Sequence, residues 1–262
     1  MTPLPRLMVA PNGARRGKSD HPQLPVTDDE VVQTAIACHA AGADGVHLHI
    51  RDAAGAHLLD APRYQALLDR LKDTVPGMYL QVTSESAGLY TAQEQRCMMR
   101  ALRPAHVSVA MREMVRGPED WAKAHGFYAW ALENAVDVQH ILYSPKEVAA
   151  FVDAVLRGQV PGDRILVQLV QGSYAEGSKG ALDLDLYLAE FDRVEDRVFD
   201  WMLCAFGKAE TASLVHAARL GGKARAGFEN ALHHSDGTLA VDNASRIREI
   251  DAALRVAVPE AG

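Results

Sequence analysis

Short apolar runs alternate with longer amphipathic stretches along nearly the whole chain. Leu7 to Ala10 is apolar and stops at Pro11-Asn12-Gly13, a strand followed by turn chemistry. The polar, proline-containing stretch from Ala14 to Val26 reads as a long loop. Thr27-Asp28-Asp29-Glu30 is a capping box, threonine as N-cap with glutamate three residues on, and it opens a helix to about Ala41 that Gly42 terminates. The same alternation predicts strands over 45–50, 78–83, 106–111, 136–142, 165–170, 199–206 and 224–228. Helices are expected over 60–71, 91–102, 117–133, 144–158, 184–194, 209–220 and 242–256, with a second capping box at Thr91-Ala92-Gln93-Glu94 and a proline-bearing cap at Ser144-Pro145. Residues 52–57 read as a loop.

Eight strand-helix units at intervals of about 30 residues have the rhythm of a parallel sheet, and eight units favour closure into a (β/α)8 TIM barrel. Residues 1–262 show no composition break, so one barrel domain is expected. The competing open doubly wound sheet usually carries a glycine-rich dinucleotide loop after its first strand, and Pro11-Asn12-Gly13 is not one.

The second strand gives the fold a chemistry. In Gly45-Val46-His47-Leu48-His49-Ile50 successive side chains point to opposite faces, so His47 and His49 share one face. Two imidazoles side by side present four ring nitrogens, which a divalent metal satisfies more simply than scattered hydrogen bonds; hydrogen-bonded core histidines are the alternative. Barrel active sites lie at the C-terminal ends of the strands. That position selects Asn12 and Arg15, His47 and His49, Thr83 and Glu85, Arg112 and Glu113, Gln171 and Ser173, Lys208 and Glu210, then Arg225, Glu229 and Asn230. Two imidazoles with one carboxylate describe an open, catalytic metal site, and Glu229, closing the last strand, is the best-placed third ligand. Zinc is favoured, with manganese, iron and cobalt compatible. A solvated loop carboxylate is the alternative reading of Glu229, and His233 and His234 read as surface residues.

Composition narrows the classes further. Hydrophobic residues make up 48% of the chain and charged ones 23%, ordinary for a globular protein with a substantial core. A net charge of −7 with no Lys/Arg run leaves no electrostatic footprint for nucleic acid. Cys38, Cys97 and Cys204 form no CxxC pair and read as buried reduced thiols. With no signal-like apolar segment after Met1 and no 18-residue apolar run, a cytoplasmic protein without a membrane partner is expected. The stretch Gly172 to Lys179 nearly spells a phosphate-binding loop, but its lysine and serine are exchanged, and it reads as a loop over the barrel mouth.

Together, His47-x-His49, Pro11-Asn12-Gly13-Ala14, Gly221-Gly222 and Arg225-x-Gly227-x-Glu229-Asn230 resemble the β-keto acid cleavage enzymes, from about Leu7 to the last helix. The resemblance implies a homotetrameric, zinc-dependent barrel that condenses a β-keto acid with acetyl-CoA and releases acetoacetate and a new acyl-CoA. It implies Zn²⁺ on His47, His49 and Glu229, and polar assistance from Thr83 and Arg225. Asn12, Arg15, Thr83 and Arg112 are the expected substrate-binding residues, and Arg225, Asn230, Glu85 and Glu113 the expected catalytic ones.

Three departures from the family pattern matter. The family's best-known members carry Asp where this chain has Asn230, and a neutral amide cannot accept a proton at ordinary pH. Either another group, such as Glu85 or Glu113, is then the base, or this chain is a slower or different catalyst. A carboxylate expected on the fifth strand is replaced in the stretch Gln139-His140-Ile141. A carboxylate that receives an amino group in the aminohexanoate-cleaving member aligns with Arg15.

The alternatives are a hydrolase of the amidohydrolase type, weakened because the sixth strand has no histidine, an aldolase-like lyase acting without CoA, and a non-catalytic barrel that binds a small acid. Arg15 with Arg112 suits a substrate whose side chain is acidic or polar rather than an amine. Arg15→Glu is expected to raise KM for the true substrate in steady-state assays; an unchanged KM would remove that assignment.

Overall fold

The computed structural model describes residues 1–173 and 184–258. Most of the loop resembling a phosphate-binding motif, from 174 onward, lies outside them. Within the described residues eight parallel strands close into a barrel: β1 (Leu7–Val9), β2 (Gly45–Leu48), β3 (Tyr79–Thr83), β4 (His106–Ala110), β5 (Asp137–Leu142), β6 (Arg164–Gln171), β7 (Val198–Ala205) and β8 (Lys223–Ala226). Each strand pairs with its sequence neighbours, and the ring shuts where Met8 of β1 stands beside both Gly45 of β2 and Arg225 of β8. Helices α1 (Asp28–Ala40), α2 (Ala61–Thr74), α3 (Ala92–Leu102), α4 (Trp121–Glu133), α5 (Pro145–Leu156), α6 (Leu184–Phe191), α7 (Glu210–Arg219) and α8 (Asn243–Ala257) cover the outside. This is the expected (β/α)8 architecture. Both predicted capping boxes form: Thr27 accepts from the Glu30 amide and Thr91 from the Glu94 amide, while each glutamate reaches back to its cap.

Several boundaries differ from the sequence reading, each for a local reason. The histidine strand stops at Leu48; Ile50–Arg51 then pairs antiparallel with His57–Leu58, so the expected loop is a hairpin. Its turn is made by Asp52, whose Oδ1 accepts from the amides of Ala54 and Ala56. The fourth strand ends at Ala110, and Met111–Met114 winds into one helical turn carrying Arg112 and Glu113. The eighth ends at Ala226. Gly227 has φ 138°, and a Cβ there would meet the Ala10 carbonyl oxygen at 2.5 Å, so the chain turns sharply and carries Glu229 beyond the strand. Cys38 and Cys204 are buried free thiols, but Cys97 is exposed, because α3 turns Met98, Met99 and Leu102 inward instead.

The barrel interior is layered. Leu4, Met8, Tyr79, Leu166 and Met202 fill one end, where the N-terminal segment is tied down by the Thr2 amide on Asp137 (2.7 Å) and the Leu4 amide on Asp200 (2.9 Å). Ala110, Ile141, Val170, Cys204 and Phe206 cluster at the strands' C-terminal ends. Between the two lie fully buried Gln81, Gln139 and Gln168. Among the described residues no helix is long and apolar enough to cross a membrane.

His140, the fifth-strand histidine that a hydrolase reading would enlist, points out of the barrel. Its ring packs against Tyr128 of α4 and Phe151 of α5, with centroids 4.8 and 4.7 Å away. Burial pushes its pKa from 6.5 down to about 3. Between those values the unfolded chain binds a proton that the folded ring refuses, so stability falls as pH drops. From pH 7 to pH 5 this one group costs about 2 kcal/mol. His140→Phe is expected to shrink the loss by that amount in urea unfolding at the two pH values; equal losses in both proteins would show that the ring is solvated.

Candidate metal centre and cavity

β2 delivers His47 on the barrel's inner face and His49 just past its end, and both are fully buried. Their Nε2 atoms face each other at 3.1 Å. Burial, followed for His47 by the Arg225 charge and for His49 by its neighbour His47, holds both pKa values well below the ordinary imidazole range. Both rings are therefore neutral at physiological pH and keep lone pairs for a cation. The turn after β8 brings Glu229 opposite them. Its Oε1 lies 3.2 Å from Arg225 Nη2, whereas Oε2 lies 3.8 Å from His47 Nε2 and 3.7 Å from His49 Nε2. That Oε2 atom is buried and has no hydrogen-bond partner among the described residues.

Two donors each about 2.0–2.1 Å from a shared tetrahedral ion stand about 3.3–3.4 Å apart. The separations here straddle that value, and an orphaned carboxylate oxygen facing two neutral imidazoles is the donor set a divalent cation satisfies. Among the described residues these three form the group able to hold a metal.

Backbone contacts hold the ligand-bearing turns together. Glu229 donates its amide to the Ala10 carbonyl at 3.1 Å, and Phe228 donates to Asn243 Oδ1 at 2.8 Å. Arg16 donates to the carbonyls of Phe228 (2.6 Å) and Glu229 (3.3 Å). Buried Arg51 in turn donates to the carbonyls of Gly13 and Arg16. Neither arginine stood out in the sequence, because a guanidinium serving carbonyls far along the chain leaves no local spacing signal.

The candidate group opens onto a cavity of about 430 Å³ whose wall includes His47 and Glu229 together with Arg15, Thr83, Glu85, Arg112, Glu113 and Arg225. His49, Asn12 and Asn230 stand behind that wall. Asn12 Nδ2 donates to the His49 carbonyl at 3.2 Å, and the buried carboxamide of Asn230 has no partner among the described residues.

The two carboxylates offered as bases have different surroundings. Glu113 is engaged at both oxygens, by the Ser86 hydroxyl (2.7 Å), the Ser86 amide (3.0 Å) and Gln95 Nε2 (2.6 Å). Glu85 faces His49 Nε2 at 3.9 Å and Arg15 at 3.9 Å. Burial, then repulsion from Glu229 and Glu113, raises its pKa to about 7. Arg112 stacks 3.3 Å from the Tyr143 ring centroid and pairs with Glu147 at 3.1 Å, and Tyr143 was not anticipated. His233 is exposed; His234 is half-buried against Glu249, so it is less a surface residue than its loop position suggested.

A closed barrel with a buried His-His-Glu group able to hold a metal, beside a charged cavity at its C-terminal mouth, defines a (β/α)8 protein with a candidate metal centre. The chain belongs to the beta-keto acid cleavage enzyme family, whose model matches residues 6–258. It is 25% identical over 260 residues to the 3-oxoadipate:acetyl-CoA acetyltransferase of Cupriavidus necator, covering 94% of this chain and 87% of that protein. It is 28% identical over 292 residues to the 3,5-dioxohexanoate:acetyl-CoA acetone transferase of Paraburkholderia graminis, covering 93% and 87%. A 3-keto-5-aminohexanoate cleavage enzyme of Acetoanaerobium sticklandii is 22% identical over 243 residues, covering 91% and 87%.

Among solved structures, the ternary complex of ObcA with a C4-CoA adduct and oxalate shares the fold, with a TM-score of 0.68 at 14% identity over 89% of this chain. The chain spans 64% of that longer protein's length.

Metal analysis by plasma mass spectrometry on purified protein is expected to find about one divalent ion per chain. A folded His47→Ala/His49→Ala variant is expected to lose it; metal retained there would place the ion elsewhere.

Proposed function

We propose that this chain is a zinc-dependent β-keto acid cleavage enzyme that uses acetyl-CoA as co-substrate. In the reaction the acid R–CO–CH2–COO⁻ and acetyl-CoA exchange partners, giving acetoacetate and R–CO–CoA. Family membership and the acetyl-CoA in the names of two relatives support this class. The observation that carries it is that the buried group His47, His49 and Glu229, whose Oε2 is without a partner among the described residues, borders the cavity that Glu85 also lines.

When bound by His47, His49 and Glu229, a divalent ion supplies Lewis acidity to the keto and carboxylate oxygens, which acidifies the carbon between them. Glu85 is the residue suited to remove that proton, because a general base works best with its pKa near the operating pH. Glu113 serves instead to order the Ser86 loop, and neutral Asn230 leaves the role of base to Glu85. Arg225, fixed by Glu229 and by Cys204 Sγ at 3.5 Å, presents positive charge to the thioester oxygen on which charge develops. Thr83 accepts the Glu85 amide at 3.0 Å and so sets the direction of that side chain. Arg15 and Arg112, on the cavity wall, select an acid whose R group is itself acidic or polar.

The test is a panel of β-keto acids with acetyl-CoA, read by mass spectrometry. Equal amounts of acetoacetate and the matching acyl-CoA are expected, with Glu85→Gln lowering kcat about 100-fold or more while KM changes little. Consumption of the acid at the same rate without acetyl-CoA would overturn the assignment in favour of a hydrolase or lyase.

A further inference from the structure

Three buried side chains run in line through the barrel interior from the metal centre. His47 Nδ1 lies 2.8 Å from Gln81 Oε1, Gln81 Nε2 donates to Gln139 Oε1 at 2.8 Å, and Gln139 Nε2 donates to the Val167 carbonyl at 3.4 Å. All three are essentially inaccessible to solvent. Gln81 stands beside His47 in the β2–β3 register, and Gln139 reaches it from β5, past β4.

A glutamine amide can present either end to a neighbour, so Gln81 alone does not determine which nitrogen of His47 carries the proton. The far end of the line does. A backbone carbonyl can only accept, so Val167 requires the amino end of Gln139. The Gln139 oxygen then accepts from Gln81, and the Gln81 oxygen accepts from His47. The proton is thereby held on Nδ1, and the lone pair is left on Nε2, the atom facing His49 and Glu229.

We propose that Gln81 and Gln139 are positioning residues forming a one-way relay that locks His47 in the tautomer able to bind a divalent cation. The inference rests on the metal-centre reading above. Its most distant member touches no metal ligand and acts only through the orientation of Gln81.

The test uses the metal-free full chain labelled with ¹⁵N-histidine, long-range ¹H–¹⁵N spectra to report the His47 tautomer, and zinc affinity from competition with a chromophoric chelator. The wild type is expected to show Nδ1–H. Gln139→Leu frees Gln81 to turn, and is expected to give a mixture containing Nε2–H and zinc binding weaker by about tenfold or more. Adding Gln81→Glu to that variant supplies an acceptor with no donor end, and is expected to restore both the tautomer and the affinity. Gln81→Met against Gln81→Glu makes the same comparison without altering Gln139, should the leucine variant not fold.

A wild type protonated on Nε2, a Gln139→Leu protein unchanged in both readouts, or a double variant as impaired as the single one would each overturn the relay; the last would reduce Gln139 to packing. A wild type that binds no zinc, manganese or cobalt would overturn the metal-centre reading instead, while the tautomer spectra still decide whether the relay exists.

Discussion

Two neutral imidazoles and a carboxylate oxygen are buried together beside the cavity at the barrel mouth, and much of the upper barrel follows from that constraint. Glu229 Oε2 is a buried acceptor with no hydrogen-bond partner among the described residues, facing two rings that burial keeps uncharged, and a buried acceptor of that kind is costly unless something satisfies it. The neighbouring groups reduce the cost without removing it. Arg225 takes the other Glu229 oxygen, Gln81 takes the far nitrogen of His47, and Arg16 and Arg51 gather the carbonyls of the turns that bring the donors together. These are the supports expected of a site held ready for an ion, where ligand orientation is set by a second layer of hydrogen bonds.

The same crowded environment separates the carboxylates. Glu229 is matched by an arginine, and Glu113 is tied into the Ser86 loop and Gln95. Glu85 keeps weaker, longer contacts in a buried and negative neighbourhood, so its proton affinity rises. Carboxylates close together thus divide into an arginine-paired candidate ligand, a structural brace and a group of raised proton affinity, and environment rather than residue type makes the division.

Much of this was legible in the chain. The βαβ rhythm gave the architecture, Thr27 and Thr91 cap the helices they were expected to cap, and the period of two along the second strand brought His47 and His49 together. Strand ends were read less well, because they depend on particular turns: Asp52 makes a hairpin where a loop was expected, and Gly227 ends the last strand early. Cys97 was misread because its apolar neighbours, rather than the thiol, face the core. The relay through Gln81 and Gln139 was available only in part. A glutamine alternating with Thr83 in an apolar strand marks an inward polar position, but its partner on another strand needs the closed ring to be identified.

Closure of that ring has a consequence for how the molecule assembles. The histidines come early in the chain and Glu229 comes near its end, and they meet only across β1, where Met8 stands between Gly45 and Arg225. Contacts so distant in sequence form against a large loop-closure entropy and slow a folding reaction. A ligand that bridges the histidines to Glu229 therefore acts as a clasp on the seam of the barrel. A ligand held only when all three donors are together would add its binding free energy to the stability of the closed ring, at the joint between the first and last strands.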